Sequence, residues 1–269
     1  MIDTIRKANA RVGPQKIVVY GVKGIGKTTF GATFPDPILL RIEDGADAVD
    51  VNTFPDLVTD YQGVVNAISA LHEEHPYKTL IVDSLDALEP LVWEETCRIG
   101  GKESIEEFGY GKGYVESDKR WRMLMGGFDS LRASKGMHIV LLAHSEIKHI
   151  EPPDSDAYDR YQMRLHKRAF NLWTEWAGIL LFMNYKIAIR KEKKEFKGER
   201  SLAIGSGDRI IYTTERPAWD AKNRWKLPDD IYIGKDETYA AFHAELEKGT
   251  GGAYTNPAVT GTGSNKKTS

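Results

Sequence analysis

Apolar positions along the chain fall into two alternating patterns. Short unbroken runs, Ile17-Val18-Val19-Tyr20, Ile38-Leu39-Leu40, Leu80-Ile81-Val82 and Ile139-Val140-Leu141-Leu142, read as strands covered on both faces. They predict strands over residues 16–21, 37–42, 79–83 and 138–143, with helices over 27–33 and 61–74 in the first gaps and a third from 84 to 99. Trp121, Leu124, Phe128 and Leu131 recur at helical spacing and stop at Gly136, which predicts a long helix ahead of the strand at 138. The stretch Gly109-Tyr110-Gly111-Lys112-Gly113-Tyr114 is too glycine-rich for regular structure. Strands separated by helices imply a mainly parallel α/β sheet flanked by helices.

The rhythm changes at Gly178. Strands over 179–185, 186–190, 201–204 and 209–213 follow without helices between them, an antiparallel extension of the sheet toward the C-terminus. A final amphipathic helix sets Tyr239, Phe242 and Leu246 on one face and ends at Gly249. One domain over 1–248 is expected, and 249–269, rich in Gly, Thr, Ser, Asn and Lys, is expected to be a disordered tail.

Composition adds exclusions. A chain of 269 residues with 41% hydrophobic content can bury a full core, and a net charge of −2 leaves no global field to gather polyanions. Cys97 is the single cysteine, so no intrachain disulfide or thiolate cluster forms, in keeping with a reducing compartment. No stretch approaches the ~20 apolar residues of a membrane span, and Met1-Ile2-Asp3-Thr4 has no signal-peptide layout. A cytoplasmic protein without membrane contact is expected.

The candidate chemistry begins where the first strand ends. Gly21-Val22-Lys23-Gly24-Ile25-Gly26-Lys27-Thr28-Thr29 fits the phosphate-loop pattern G-x-x-x-x-G-K-[ST]. Its glycines let backbone N–H groups turn toward a phosphate, Lys27 can reach the β- and γ-phosphates, and the Thr28 hydroxyl can ligate Mg²⁺. Asp83, ending the strand at 79–83, would hold the same ion from a neighbouring strand; as a helix N-cap it would be purely structural. Glu43 in Arg41-Ile42-Glu43-Asp44-Gly45 is the candidate to position or deprotonate water, with Asp44 as alternate. His144 emerges from its strand either as a γ-phosphate sensor or as an edge-of-core histidine. No Asn-Lys-x-Asp motif of the GTPase kind is present, which favours adenine.

These segments together resemble the RecA-type P-loop NTPase core. More narrowly, Ile42-Glu43-Asp44-Gly45, the 108–114 stretch, Leu142-Ala143-His144-Ser145 and Ala221-Lys222-Asn223-Arg224 resemble phage-encoded nucleotide-binding proteins of that superfamily, some implicated in single-strand annealing and recombination. The resemblance implies an ATP–Mg²⁺ site made by Lys27, Thr28 and Asp83, Glu43 in the place of the catalytic glutamate, and His144 in that of the sensor. It also implies a homo-oligomer, ring or filament, with the ATP site between subunits. Lys222 and Arg224 would act on a neighbour's phosphates, or else form a solvated basic turn; strand alternation would point both to one side.

For single-stranded DNA the candidates are Arg160, Tyr161, Arg164, Lys167 and Arg168, aromatic and basic residues interleaved after an acidic loop at 151–156. A solvated helix face is the plain alternative. A basic run, Lys191, Lys193, Lys194 and Lys197, reads as a hairpin tip. A single-strand-binding or other replication protein is a further partner that the resemblance allows. Other jobs fit the same core: a motor, helicase-loading or packaging ATPase, or a non-hydrolysing nucleotide sensor.

Overall fold

The computed structural model describes residues 13–45, 48–193, 199–234 and 238–254, with backbone alone at 187–193 and 199–206. In chain order the elements are β1 (Lys16–Gly21), α1 (Lys27–Ala32), β2 (Pro37–Arg41), β3 (Asn52–Thr53), α2 (Tyr61–Ala70), β4 (Thr79–Asp83), α3 (Leu85–Gly100) and α4 (Lys112–Lys135). They continue with β5 (His138–Ile150), β6 (Tyr158–Met163), α5 (Lys167–Trp176), β7 (Ile179–Lys193), β8 (Glu199–Tyr212), β9 (Asp230–Ile233) and α6 (Ala240–Gly249). The sheet runs β3-β2-β4-β5-β1-β7-β8-β9, with β6 paired to β5 off that path. Strands β3 through β7 in that order are parallel, while β8 and β9 are antiparallel, the expected α/β core with its C-terminal extension.

Strand alternation divides the core in two. Val18, Tyr20, Leu80, Val82 and Leu141 face α2, α3, α4 and α5, while Ile17, Val19, Ile81 and Val140 face α1 and α6. On the second side Phe30 of α1 packs against Tyr239 and Phe242 at ring separations of 5.1 and 4.9 Å. Burying such aromatics contributes about 1.5–3 kcal/mol each, so α6 fixes the helix that follows the phosphate loop.

Several expectations need correction. Regular structure reaches back into the glycine stretch, since α4 starts at Lys112; Gly113 lies in its first turn, where a Cβ would come 2.3 Å from the Ile105 carbonyl oxygen, so close packing and not a loop requires the glycine. The strand expected to end at 143 continues to Ile150 and folds back antiparallel on β6, so His144 lies within β5. The strand pairs expected after Gly178 are two long strands, β7 and β8, with an irregularity between Tyr185 and Ile187. The run at Lys191, Lys193, Lys194 and Lys197 falls where side chains, or whole residues, are outside the described set.

The chain also stays packed beyond 249. Tyr254 is 1% exposed, and its hydroxyl lies 2.5 Å from His243 Nδ1. The rest of the expected tail, 255–269, lies outside the described residues. Among the described residues no helix is long and apolar enough to cross a membrane.

Candidate functional site

β1 delivers the chain at Gly21 into a loop that turns at Gly24 and Gly26, with φ of +75° and +98°. Only glycine adopts these angles without strain, and a Cβ on Gly26 would lie 2.7 Å from the Tyr239 hydroxyl oxygen. That hydroxyl donates to the Gly26 carbonyl at 3.1 Å and accepts from Arg209 Nη1 at 3.0 Å, while the Tyr185 hydroxyl donates to the Gly24 carbonyl at 3.1 Å. The loop is therefore braced from β7, β8 and α6.

Lys27 is 6% exposed and donates to the carbonyls of Gly21 and Val22 at 3.2 and 3.3 Å. Burial lowers its pKa, against the pull of Asp83, Asp86 and Glu43. Beside it, the Thr28 hydroxyl donates to Asp83 Oδ2 at 2.7 Å. The helix N-cap role falls to Ser84, whose side chain accepts from the Ala87 N–H, leaving the Asp83 carboxylate for the loop. Two hard oxygen donors side by side at the mouth of a phosphate loop suit Mg²⁺.

The route by which these groups meet differs from expectation. β5 lies between β1 and β4, so the strand bearing Asp83 is not the neighbour of the loop strand, and Glu43 follows β2, one strand further out. His144 is the true neighbour, in register with Gly21. All still line one cavity of about 540 Å³, with Lys27, Thr28, Glu43, Asp83, His144 and Arg164 on its wall. A cavity of this size is ordinary for a small-ligand pocket.

A charged cluster forms the far wall. Asp86, on the first turn of α3 with a side chain 2% exposed, accepts the His144 backbone N–H at 2.9 Å on Oδ1. His144 Nδ1 lies 3.0 Å from Asp86 Oδ2. An ionised carboxylate only accepts, which places the Nδ1 proton in that bond. The Arg164 guanidinium donates to the same Oδ2. Burial would push the Asp86 carboxyl up, but the bonds from His144 and Arg164 outweigh it and hold it well below the usual carboxylate range. Glu43 Oε1 stands 3.9 Å from His144 Nδ1; burial pushes its pKa up, His144 opposes, and Asp83 and Asp86 add to the rise. One oxygen or nitrogen from each of Glu43, Asp86 and His144 falls within 4.8 Å of the others.

Asp86 carries no distinguishing signal in the sequence, because an acid in the first turn of a helix is favoured by the helix dipole anyway. Arg164, expected on single-stranded DNA, instead has its guanidinium on the cavity wall. Arg160 is turned inward, 13% exposed, against Glu215 at 2.5 Å and Asp220 at 3.1 Å. Tyr161 stacks on Phe182 at 5.0 Å, and Arg168 pairs with Asp118 at 2.6 Å. Of the five candidate DNA contacts, Lys167 is exposed and makes no ion pair among the described residues.

Lys222 and Arg224 stand apart from the cavity. Lys222 belongs to a single bridge to Leu180 rather than a strand, so alternation does not govern its direction. Its ammonium donates to the Thr174 and Glu175 carbonyls at the end of α5, at 2.8 and 3.3 Å, and burial lowers its pKa. Arg224 is exposed.

No curated protein matches the chain. A family model described as "AAA domain" matches residues 13–225, from just before β1 to the Lys222–Arg224 segment. That span holds the phosphate loop, the Thr28–Asp83 pair and the whole cavity wall, and the chain belongs to this AAA domain family of nucleotide-binding P-loop ATPases.

Proposed function

We propose that the chain is a Mg²⁺-dependent ATP hydrolase of RecA-like, phage-encoded type whose turnover serves recombination, annealing or repair on single-stranded DNA. The observation that carries the hydrolytic part is the Thr28–Asp83 hydrogen bond of 2.7 Å, facing Glu43 and His144 across one cavity. Mg²⁺ held by Thr28 and Asp83 would neutralise charge on the β- and γ-phosphate oxygens. Lys27 would exchange its loop carbonyls for phosphate oxygens. Glu43, made more basic by its raised pKa, would take the proton of a water whose oxygen bonds to the γ-phosphorus as the bond to the β-bridging oxygen breaks. ADP and phosphate leave, and the proton returns to solvent from Glu43.

The DNA part rests on the resemblance and on the surface above the cavity. β5 runs directly from His144 into the hairpin with β6, where Ile147 is 59% exposed and the Lys148 side chain 48%. Tyr110 stands fully exposed just ahead of Tyr114, whose ring stacks 4.0 Å from His166 at the hairpin's base. Exposed aromatic and basic groups of this kind stack on bases and neutralise phosphates. Pairing of Arg160 with Glu215 and Asp220, and of Arg168 with Asp118, favours a second reading, an ATPase that drives a protein partner instead.

The separating experiment measures ATPase rate against protein concentration, with and without single-stranded DNA. Rates per subunit that rise with concentration and with DNA support the leading reading. A wild-type chain that hydrolyses no ATP, or a Lys27→Ala variant that hydrolyses it at the wild-type rate, refutes the hydrolase. Hydrolysis indifferent to DNA but stimulated by a protein partner supports the second reading. A site shared between subunits also predicts that Arg224→Ala, mixed with Lys27→Ala, restores activity neither shows alone.

A further inference from the structure

We propose that Arg164 is a phosphate-binding arginine acting on this chain's own nucleotide, held on Asp86 until a γ-phosphate takes its place. The inference rests on the nucleotide-hydrolase reading above and adds a residue to it. Three observations carry it.

The first is position. The Arg164 backbone N–H donates to the His144 carbonyl at 2.8 Å, so the residue sits directly across from the strand position in register with Gly21 at the start of the phosphate loop. Its neighbours are fixed: Met163 is 1% and Leu165 5% exposed, and the His166 N–H is bound by both carboxylate oxygens of Glu89 at 3.0 Å. The backbone is thus pinned on both sides, while the Arg164 side chain is 58% exposed. Such a side chain can change partner without moving the fold.

Charge is the second. The cavity wall carries Glu43, Asp44 and Asp83 against Lys23, Lys27 and Arg164, with the Asp86 carboxylate directly behind. A triphosphate adds several negative charges to that balance. During transfer, charge builds on the γ-phosphoryl and leaving oxygens, and a guanidinium fork matches two of them at once. Among the described residues Arg164 is the arginine on this wall.

The third is what Asp86 is bonded to. Its Oδ2 is shared by His144 Nδ1 and Arg164. When Arg164 turns to the phosphate, His144 keeps the carboxylate to itself, which fixes the imidazole with Nε2 away from Asp86. Asp86 is then a positioning residue, and Arg164 a catalytic one.

The test compares wild type, Arg164→Ala and Arg164→Lys, with fluorescent ADP and a fluorescent non-hydrolysable ATP analogue as binding probes and steady-state ATP hydrolysis as the rate. ADP binding within about twofold of wild type in both variants shows an intact fold and loop. Arg164→Ala should then lose the preference for the triphosphate analogue over ADP by tenfold or more, and kcat should fall on the order of 10³-fold, the lower end of the span of arginine effects on phosphoryl transfer. Arg164→Lys should recover part of the analogue preference. Unchanged preference and unchanged kcat in Arg164→Ala overturn the proposal while leaving the hydrolase reading intact. A wild type that binds the analogue but does not turn over overturns the hydrolase reading, and the Arg164 preference for the γ-phosphate is still decided by binding alone.

Discussion

Replacing Asp86 by alanine removes the acceptor on which the cavity's far wall is built. Three donors lose their partner: the His144 backbone N–H at 2.9 Å, His144 Nδ1 at 3.0 Å and the Arg164 guanidinium. The Arg164 side chain, 58% exposed, regains water, so its share is small. The two His144 donors sit where the side chain is 15% exposed, and each buried donor left unpaired costs about 1–3 kcal/mol. Some of that is offset because the Asp86 carboxylate no longer has to be buried. A net loss of about 2–4 kcal/mol follows, and at ~2–4 °C per kcal/mol for a domain of this size the midpoint falls by ~4–16 °C.

Urea unfolding of wild type, Asp86→Ala and Asp86→Asn at pH 7 measures this directly. Asparagine keeps an oxygen for the His144 N–H but turns an amide donor toward Nδ1, so it should lose about half as much. The sign of the pH dependence is fixed as well. The Asp86 carboxyl is held below its ordinary value, so its stabilisation is complete above the unfolded value of ~3.9 and is lost as pH falls through the folded one. The gap between wild type and Asp86→Ala should therefore narrow progressively below pH ~4. An Asp86→Ala midpoint equal to wild type at pH 7, or a gap that widens in acid, would refute the reasoning.

Other outcomes follow from single contacts. Glu89, 7% exposed on α3, has its pKa pushed up to about 7 by burial, with Asp86 and Glu146 adding to the rise and the His166 N–H opposing it. The folded state then keeps a proton that the unfolded chain releases near pH ~4.3, so wild-type stability falls as pH rises between these values. Glu89→Gln should gain up to about 3 kcal/mol over wild type at pH 8 and almost nothing at pH 4; equal differences at both pH values in urea unfolding would contradict this. Gly113→Ala places a methyl 2.3 Å from the Ile105 carbonyl oxygen and should cost about 1–3 kcal/mol by thermal melting, whereas a glycine needed only for ligand access would lose binding at unchanged stability. Tyr254→Ala should cost about 3–5 kcal/mol and Tyr254→Phe about 1, because the ring is buried and its hydroxyl bonds His243; a melting temperature unmoved by Tyr254→Ala shows that the segment after α6 does not hold the fold.

Local chemistry made the loop and the core strands legible. The Gly21–Thr29 spacing is dictated by backbone angles that only glycine adopts and by a lysine and a threonine that must follow directly, so it is written in adjacent residues. Fully buried parallel strands leave unbroken apolar runs, and the long α4 shows in the spacing of Trp121, Leu124, Phe128 and Leu131. What adjacency does not encode is which strand lies next to which. The sheet inserts β5 between β1 and β4, so His144 became the phosphate loop's neighbour and Asp83 a more distant one that still reaches Thr28 at 2.7 Å.

The same limit applied to side-chain partners. Arg160, Arg164 and Arg168 are alike in sequence, each a basic residue close to an aromatic or another cation. Their fates were settled by the acids that folding set beside them: Asp220 and Glu215 turn Arg160 inward, Asp118 holds Arg168 at the surface, and Asp86 holds Arg164 on the wall of the cavity beside the loop. Those acids lie 50 to 78 residues away along the chain. The sequence by itself determined a phosphate-loop pattern and the parallel sheet that presents it, because both depend on short-range geometry. Which carboxylates and cations surround that loop was decided only by the tertiary structure, since a Coulombic contact depends on distance in space and not on separation along the chain.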